Sequence, residues 1–439
     1  MTHLQESHQS LHKTYTICGA GIAGLYTAYK ILLKDPNAKV TILDKNKYIG
    51  GRVNVTQFAN TQVPIGAGIG RKAKDHLLIE LLDGFKLKYG EGHTSSQHIG
   101  HASVDLKEII HKLRDAYKHT PYHEPFKKFA LRHMPLEEYN NFVINTGYSD
   151  YNNTDAYDVL YNYGLEDALD GWKTMYVGWN DLISALVEFI KSKGGKIKLG
   201  YTVHTFKGNR LYYTKTNHNA PSNALSKSVH ISDKHICVFA TTIYNLRSIL
   251  HSYEIYKSIS ATPFMRIYGQ FSKTTRGFMA TYISKTTLLN KPVQEIIPIN
   301  PTQGVYMIVY NDNGSAVQMH KKLSELNNTS TAITSNNLGP YVPKYNTACK
   351  TYIEDLLASA LELPRHVIKL NKISVYFWHE GTHYFKPLST KYANRNEFIK
   401  DAQRPCKNVY VVGEVVAQHQ GWTEGALKSV VNVIDEIID

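Results

Sequence analysis

Gly19, Gly21 and Gly24 stand in the order G-x-G-x-x-G, directly behind the apolar run Thr16-Ile17-Cys18 and at the head of a stretch of helix formers, Ala23 to Leu33. The chemistry such a turn offers is anion binding by backbone. Gly19 permits the tight turn, Gly21 lets a diphosphate approach the main chain, and Gly24 lets the helix pack closely on the strand. Ala20, Ile22 and Ala23 fill the intervening positions, so their amides belong to the helix N-terminus, where unpaired donors and the helix dipole favour negative charge. Asp44 ends the next apolar strand, Val40-Thr-Ile-Leu-Asp44, twenty residues beyond Gly24. That is the spacing of a carboxylate that accepts bonds from ribose hydroxyls, with Lys45 beside it. Strand, turn, helix, strand and acid in this order predict a Rossmann-like dinucleotide unit.

The elements that must complete the site lie at both ends of the chain. Gly50-Gly51-Arg52 follows Asp44, and Ile65-Gly66-Ala67-Gly68 makes another glycine-rich approach. Far downstream, Asn408-Val-Tyr-Val-Val-Gly413-Glu414 reads as a strand ending in Gly-Glu, and Gln420-Gly421-Trp422-Thr423-Glu424-Gly425-Ala426 leads into a closing helix that runs to Ile438. Together these motifs resemble the flavin-containing amine oxidases, the family of monoamine, L-amino acid and polyamine oxidases. The resemblance implies noncovalent FAD: Gly51 and Arg52 add donors and a cation around the dinucleotide, Gly68 approaches it, Gly413 and Glu414 reach the ribityl chain, and Thr423 sets backbone amides against the flavin ring. It also implies adenine bound through the backbone of Val203, on a strand at Lys196–Val203.

The activity the resemblance implies is oxidation of a primary amine, most simply an L-amino acid. A hydride leaves the α-carbon for flavin N5, water hydrolyses the imine, and molecular oxygen is reduced to hydrogen peroxide. Trp422 and Tyr384 are the candidate aromatic walls. Arg71 lies within two positions of the arginine that binds the substrate carboxylate in L-amino acid oxidases, and a guanidinium forks onto a carboxylate through two parallel bonds. Two departures matter. Where many relatives carry a lysine on the substrate-domain sheet, this sequence has Arg266, which cannot deprotonate. Where monoamine oxidases attach flavin to a cysteine, it has Thr382 or His383. A polyamine or monoamine oxidase, a desaturase or isomerase of the same fold, and a degenerate flavin-free scaffold are the alternatives.

One motif points elsewhere. His379-Glu380-Gly381-Thr382-His383 matches the H-E-x-x-H zinc signature, but that chemistry needs both histidines on one helix face. Here the motif follows the strand-like Ile373-Ser-Val-Tyr-Phe-Trp378 and contains Gly381 and the β-branched Thr382, so no helix and no metal site is expected.

Composition sets the bounds. At 439 residues the chain exceeds what one core usually serves. It is 42% hydrophobic and 20% charged, ordinary for a globular protein. The net charge of +13 is spread along the sequence, which reads as a solvated surface rather than a nucleic-acid site. Four cysteines without pairing or metal spacing suit a reducing compartment. Residues 1–13 form a polar tail with no apolar leader, and no run approaches a membrane span; a soluble, cytoplasmic protein without a membrane anchor is expected, acting on a small-molecule amine or amino acid and oxygen.

The fold class predicted is α/β: a Rossmann-like FAD-binding domain from residues 14–74, 175–260 and 372–439, and a discontinuous α+β substrate domain, an antiparallel sheet plus helices, from 75–174 and 261–371. Ile236–Ala240 reads as a buried strand at the edge of the first. Alternation in Met265–Phe271 and Val305–Tyr310 predicts the antiparallel sheet. Asp312 to Pro340, rich in Asn, Ser, Thr and Gly, reads as a mobile surface insertion.

Overall fold

The computed structural model describes residues 13–119, 122–215, 227–328 and 345–439. A parallel sheet in the order Val409–Val411, His235–Phe239, Thr14–Cys18, Lys39–Asp44, Lys196–Leu199 organises the nucleotide side. Parallel strands are buried on both faces and so read as continuous apolar runs, as Ile236-Cys-Val-Phe239 does. That strand lies inside the sheet, because Val409–Val411 returns from the far end of the chain to cover its flank.

The helix Ile22–Lys34 buries Leu25, Ala28, Ile31 and Leu32. They share one core with Leu182, Leu186 and Ile190 of the helix Trp179–Ser192 and with Ala426, Leu427 and Val430 of the helix Thr423–Val431. The first and last motifs of the sequence are thus held against each other by side-chain burial. His76–Gly84 joins the same core through Leu78, Leu81 and Leu82.

A six-stranded sheet faces this unit, in the order Leu370–Phe385, Ile259–Phe271, Val305–Asp312, Glu295–Asn300, Thr286–Leu288, Ser96–His98. All its pairs are antiparallel except the last. Leu370–Phe385 extends well beyond Ile373–Trp378 and pairs with Ile259–Phe271 rather than with the parallel sheet. It carries a bulge: Thr262 faces Thr382 and Phe264 faces Trp378. Gly381 is required inside that bulge, since a Cβ there would lie 2.7 Å from the Phe264 ring. The H-E-x-x-H residues therefore sit on a bent strand, and among the described residues no cluster of three or more His, Cys, Asp or Glu could hold a metal ion.

The segment expected as an insertion is corrected in its first half. Asn313–Leu326 is a helix that buries Ala316, Met319, His320 and Leu323; this 3–4 spacing was concealed by a composition typical of loops. Residues 329–340 of that expectation, like residues 1–12 of the tail, lie outside the described residues. Four further helices, Leu106–His119, Phe126–Ala130, Leu136–Thr146 and Ala156–Tyr161, form their own apolar core around Leu113, Phe126, Phe129 and Phe142. Arg395 ties this unit to the C-terminal segment through Asp155 (3.2 Å) and Asp158 (2.7 Å). Among the described residues no helix is long and apolar enough to cross a membrane.

Candidate active site

The three glycines differ in what surrounds them, and the differences define a cradle. A Cβ on Gly19 would meet the Ala240 carbonyl oxygen at 2.2 Å, and one on Gly24 would meet that of Gly19 at 2.0 Å, so both are packed against backbone. A Cβ on Gly21 would meet nothing within 4 Å. Gly21 is the N-cap of the opening helix and no side chain caps it, so the first amides face open space as donors. Gly50 docks on this turn, its amide donating to the Ala20 carbonyl at 2.9 Å. Gly51, at φ +59°, would place a Cβ 3.2 Å from the Gly21 Cα.

Asp44 accepts one bond on each oxygen, from the amides of Ala20 and Asn46, both at 2.7 Å, which leaves each oxygen a further lone pair for a hydroxyl. Burial raises its pKa, against the pull of those amides and of Lys45. Burial likewise lowers the Lys45 ammonium to about 8, and it donates to Asn245 Oδ1 at 3.0 Å. Val203 pairs with Tyr213 at the point where a bulge interrupts the ladder, so the backbone beside it is not committed to a regular pair.

The closing segment arrives over the opening helix. A Cβ on Gly413 would lie 3.7 Å from the Ala23 Cβ. Glu414 is a hub: its carboxylate accepts from Arg52 Nη2 (2.9 Å), from the amides of His383 (2.8 Å) and Gly421 (2.9 Å), and pairs with His383 Nδ1. Burial by itself would raise this carboxyl, but the charges of His383 and Arg52 outweigh it and hold it well below the usual range. With its lone pairs taken, Glu414 acts by fixing Arg52, the strand bulge and the Gly421 turn rather than by presenting a free carboxylate to a ribityl chain. Arg52 also donates to the Gly381 carbonyl at 2.8 Å. Glu380 accepts from Thr242 Oγ1 and from the Tyr244 amide (2.8 Å), capping the helix Ile243–Ile249, which is a structural use for the acid of the zinc-like motif.

Trp422 is the N-cap of the closing helix, which no side chain caps, so the amides from Thr423 onward also remain donors. Its ring lies 3.9 Å from the Arg71 guanidinium carbon. Arg71 is committed elsewhere: Nε and Nη2 bond Asp75 (2.9 and 2.7 Å) and Nη1 bonds Asp167 (2.9 Å). The expected clamp for a substrate carboxylate is therefore filled by two carboxylates of the chain, and Arg71 supports Trp422 instead. Tyr384 lines a small cavity with Asp150, Asn162, Tyr163, Gln418 and Gly421. Asp150 is pushed up to about 7 by burial and by the charge of Asp312.

Arg266 comes to the edge of the cradle. Its Nη2 is 3.8 Å from the Cβ position of Gly68, the only atom within 4 Å there, and it lies over the Tyr310 ring at 4.7 Å. The Gly68 carbonyl is held from behind by Trp179 Nε1 at 3.3 Å. Two uncapped helix N-termini, a Gly21 turn open to space and an acid with spare acceptors fit a dinucleotide.

Comparison with known proteins agrees with this geometry. Residues 17–85 match the NAD(P)-binding Rossmann-like domain family. A cofactor-binding redesign of putrescine oxidase superposes with a TM-score of 0.67 at 13% identity, over 97% of this chain and 99% of that one. The fold is that of putrescine oxidase. A protein of Exiguobacterium sp. 255-15 named for protoporphyrinogen oxidase matches with a TM-score of 0.64 at 10% identity, over 97% of this chain and 98% of that one. In sequence, uncharacterized protein R188 of Acanthamoeba polyphaga mimivirus is 20% identical over 95% of this chain and 92% of its own length.

Of the predicted residues, Gly21, Gly51 and Asp44 meet at the opening turn, Gly413 lies against Ala23 of the opening helix, Arg52 pairs with Glu414, and Arg266 lies beside Gly68. Sequence reasoning missed Trp179 as the support for Gly68. It also missed Glu295, Tyr148 and Tyr310, for which no motif exists.

Proposed function

We propose that this chain is an FAD-dependent oxidase of primary amines, L-amino acids foremost, releasing an imine that water hydrolyses and passing the electrons to oxygen as hydrogen peroxide. The observation that carries this reading is the Gly21 turn, open to space at the start of the opening helix, on to which Gly50 and Gly51 dock; the uncapped helix start at Trp422 and Thr423 and Arg266 beside Gly68 support it. FAD, when bound, supplies the two-electron oxidation. The opening helix and the Gly50–Arg52 turn hold the diphosphate, Asp44 the ribose, and the Val203 backbone the adenine. Trp422, stiffened by Arg71, gives an apolar wall that keeps an entering amine dry and oriented. Arg266 holds a fixed positive charge at the reacting edge.

The test is direct. Purified protein is expected to be yellow, to release intact FAD on acid precipitation because the cofactor is noncovalent, and to give peroxide on a panel of amino acids, polyamines and aryl amines. Colourless protein that does not take up added FAD would refute the reading. Arg266 in place of a lysine favours one second reading, a desaturase or isomerase; substrate-dependent bleaching of the flavin without peroxide in air would select it.

A further inference from the structure

The face of the six-stranded sheet beside Arg266 holds a buried cation and a buried carboxyl group. Arg266 pairs with Tyr310, and Tyr310 pairs with Glu295, so the three sit side by side on adjacent strands and leave the same face of the sheet. Arg266 is 8% exposed and Glu295 4%. The guanidinium donates to the Pro64 carbonyl at 3.2 Å and to Tyr310 Oη at 3.3 Å, both neutral. Among the described residues no carboxylate stands within ion-pair distance of Arg266, and the Glu295 carboxylate makes no hydrogen bond or ion pair.

Glu295 is also badly placed for an anion. Its Oε1 would be 2.2 Å from a Cβ on Gly147, the C-cap of the helix Leu136–Thr146, where the helix dipole is negative and favours a cation. Tyr148 closes over the row, its ring 5.8 Å from Tyr310 and 6.4 Å from Phe264. A buried charge without a counter-charge is costly, and a floor that offers a guanidinium and a carboxyl that an arriving ammonium would ionise complements a ligand that carries both signs.

We propose that Arg266 and Glu295 are the specificity pair of the site, selecting a substrate with both a carboxylate and an amine: the guanidinium forks onto the carboxylate and Glu295 accepts from the ammonium. Tyr148, Phe264 and Tyr310 pack around the carbon between. The assignment rests on the amine-oxidising reading and narrows it to amino acids, recognised by a residue other than Arg71.

The FAD-loaded protein is titrated without oxygen with α-methylleucine, which has no α-hydrogen to lose, and with its decarboxylated and deaminated counterparts, following the absorption of the bound flavin. Wild type is expected to bind α-methylleucine at least tenfold more tightly than either truncated ligand. Arg266→Gln is expected to erase the advantage over the decarboxylated ligand alone, and Glu295→Gln the advantage over the deaminated ligand alone. Arg266→Lys, which keeps the charge but loses the fork, serves if Arg266→Gln does not fold, and should weaken the carboxylate preference while keeping part of it. Equal binding of the three ligands by wild type, or a carboxylate preference that survives in the Arg266 variants, overturns the pair while leaving the amine-oxidising reading in place. Protein that takes up no FAD overturns both.

Discussion

Gly21→Ala separates cofactor binding from folding, because the space beside Gly21 is empty while that beside its two partners is not. Gly21 has φ −76° and ψ 176°, an extended conformation that alanine adopts without strain, and its new methyl would meet no protein atom within 4 Å. The cofactor-free variant should be as stable as wild type, or more stable by about 0.4–1 kcal/mol through the stiffer unfolded chain. The methyl does, however, stand where a diphosphate approaches the first amides. Displacing one charge-assisted bond costs about 1.5–3 kcal/mol, so FAD affinity should fall roughly ten- to hundredfold. Gly24→Ala should behave oppositely: its methyl meets the Gly19 carbonyl at 2.0 Å, and relieving such a clash costs about 1–3 kcal/mol of stability or more. Urea unfolding of the apo forms and FAD titration by flavin fluorescence measure the two quantities separately. Wild-type FAD affinity in a folded Gly21→Ala variant would refute the placement of the diphosphate.

Other consequences follow from the ionised network. Glu414→Gln leaves Arg52 and His383 without their common carboxylate and should cost about 3–5 kcal/mol, read from the urea midpoint at pH 7; the loss should shrink in acid, since a carboxyl held below the usual range contributes stability present above its unfolded pKa and lost as pH falls through the folded one. Glu295 has the opposite sign. Burial, then the charge of Asp312, push it up to about 8, so the wild-type protein is stabilised below the unfolded value of ~4.3 and loses that as pH rises through 8. Glu295→Gln should therefore gain on wild type between pH 5 and pH 9, by up to ~5 kcal/mol; a gap that does not change with pH would contradict the burial. Arg71→Met unpairs Asp75, leaves Asp167 with Lys74 alone and frees Trp422, so kcat/KM should fall for amino acids and simple amines alike, and a loss confined to amino acids would restore Arg71 as their clamp.

Backbone chemistry was legible in the sequence because it depends on local spacing. Gly19, Gly21, Gly24 and Asp44 act through a turn, a helix start and a strand end that lie within thirty residues of one another, and the closing Gly413–Ala426 segment repeats the same logic at the other terminus. Local pattern failed where composition and packing disagreed: Asn313–Leu326 carries loop-forming residues but buries one face, and His235–Phe239 gained a neighbour from about 170 residues away.

The sequence by itself determined the strand, glycine turn, helix and acid of a Rossmann-like unit and a second glycine-bearing helix start at the other end of the chain, since glycine spacing and hydrophobic period are properties of contiguous residues. Only the tertiary structure decided which charges are left for a ligand. Arg71 and Arg266 are equivalent as letters, yet two carboxylates from separate segments neutralise the first, whereas sheet register sets the second in a row with Tyr310 and Glu295, with no carboxylate of the described residues within ion-pair distance. The pairing of a charge is fixed by what packs against it, and packing partners distant in the chain leave no mark in the local spacing.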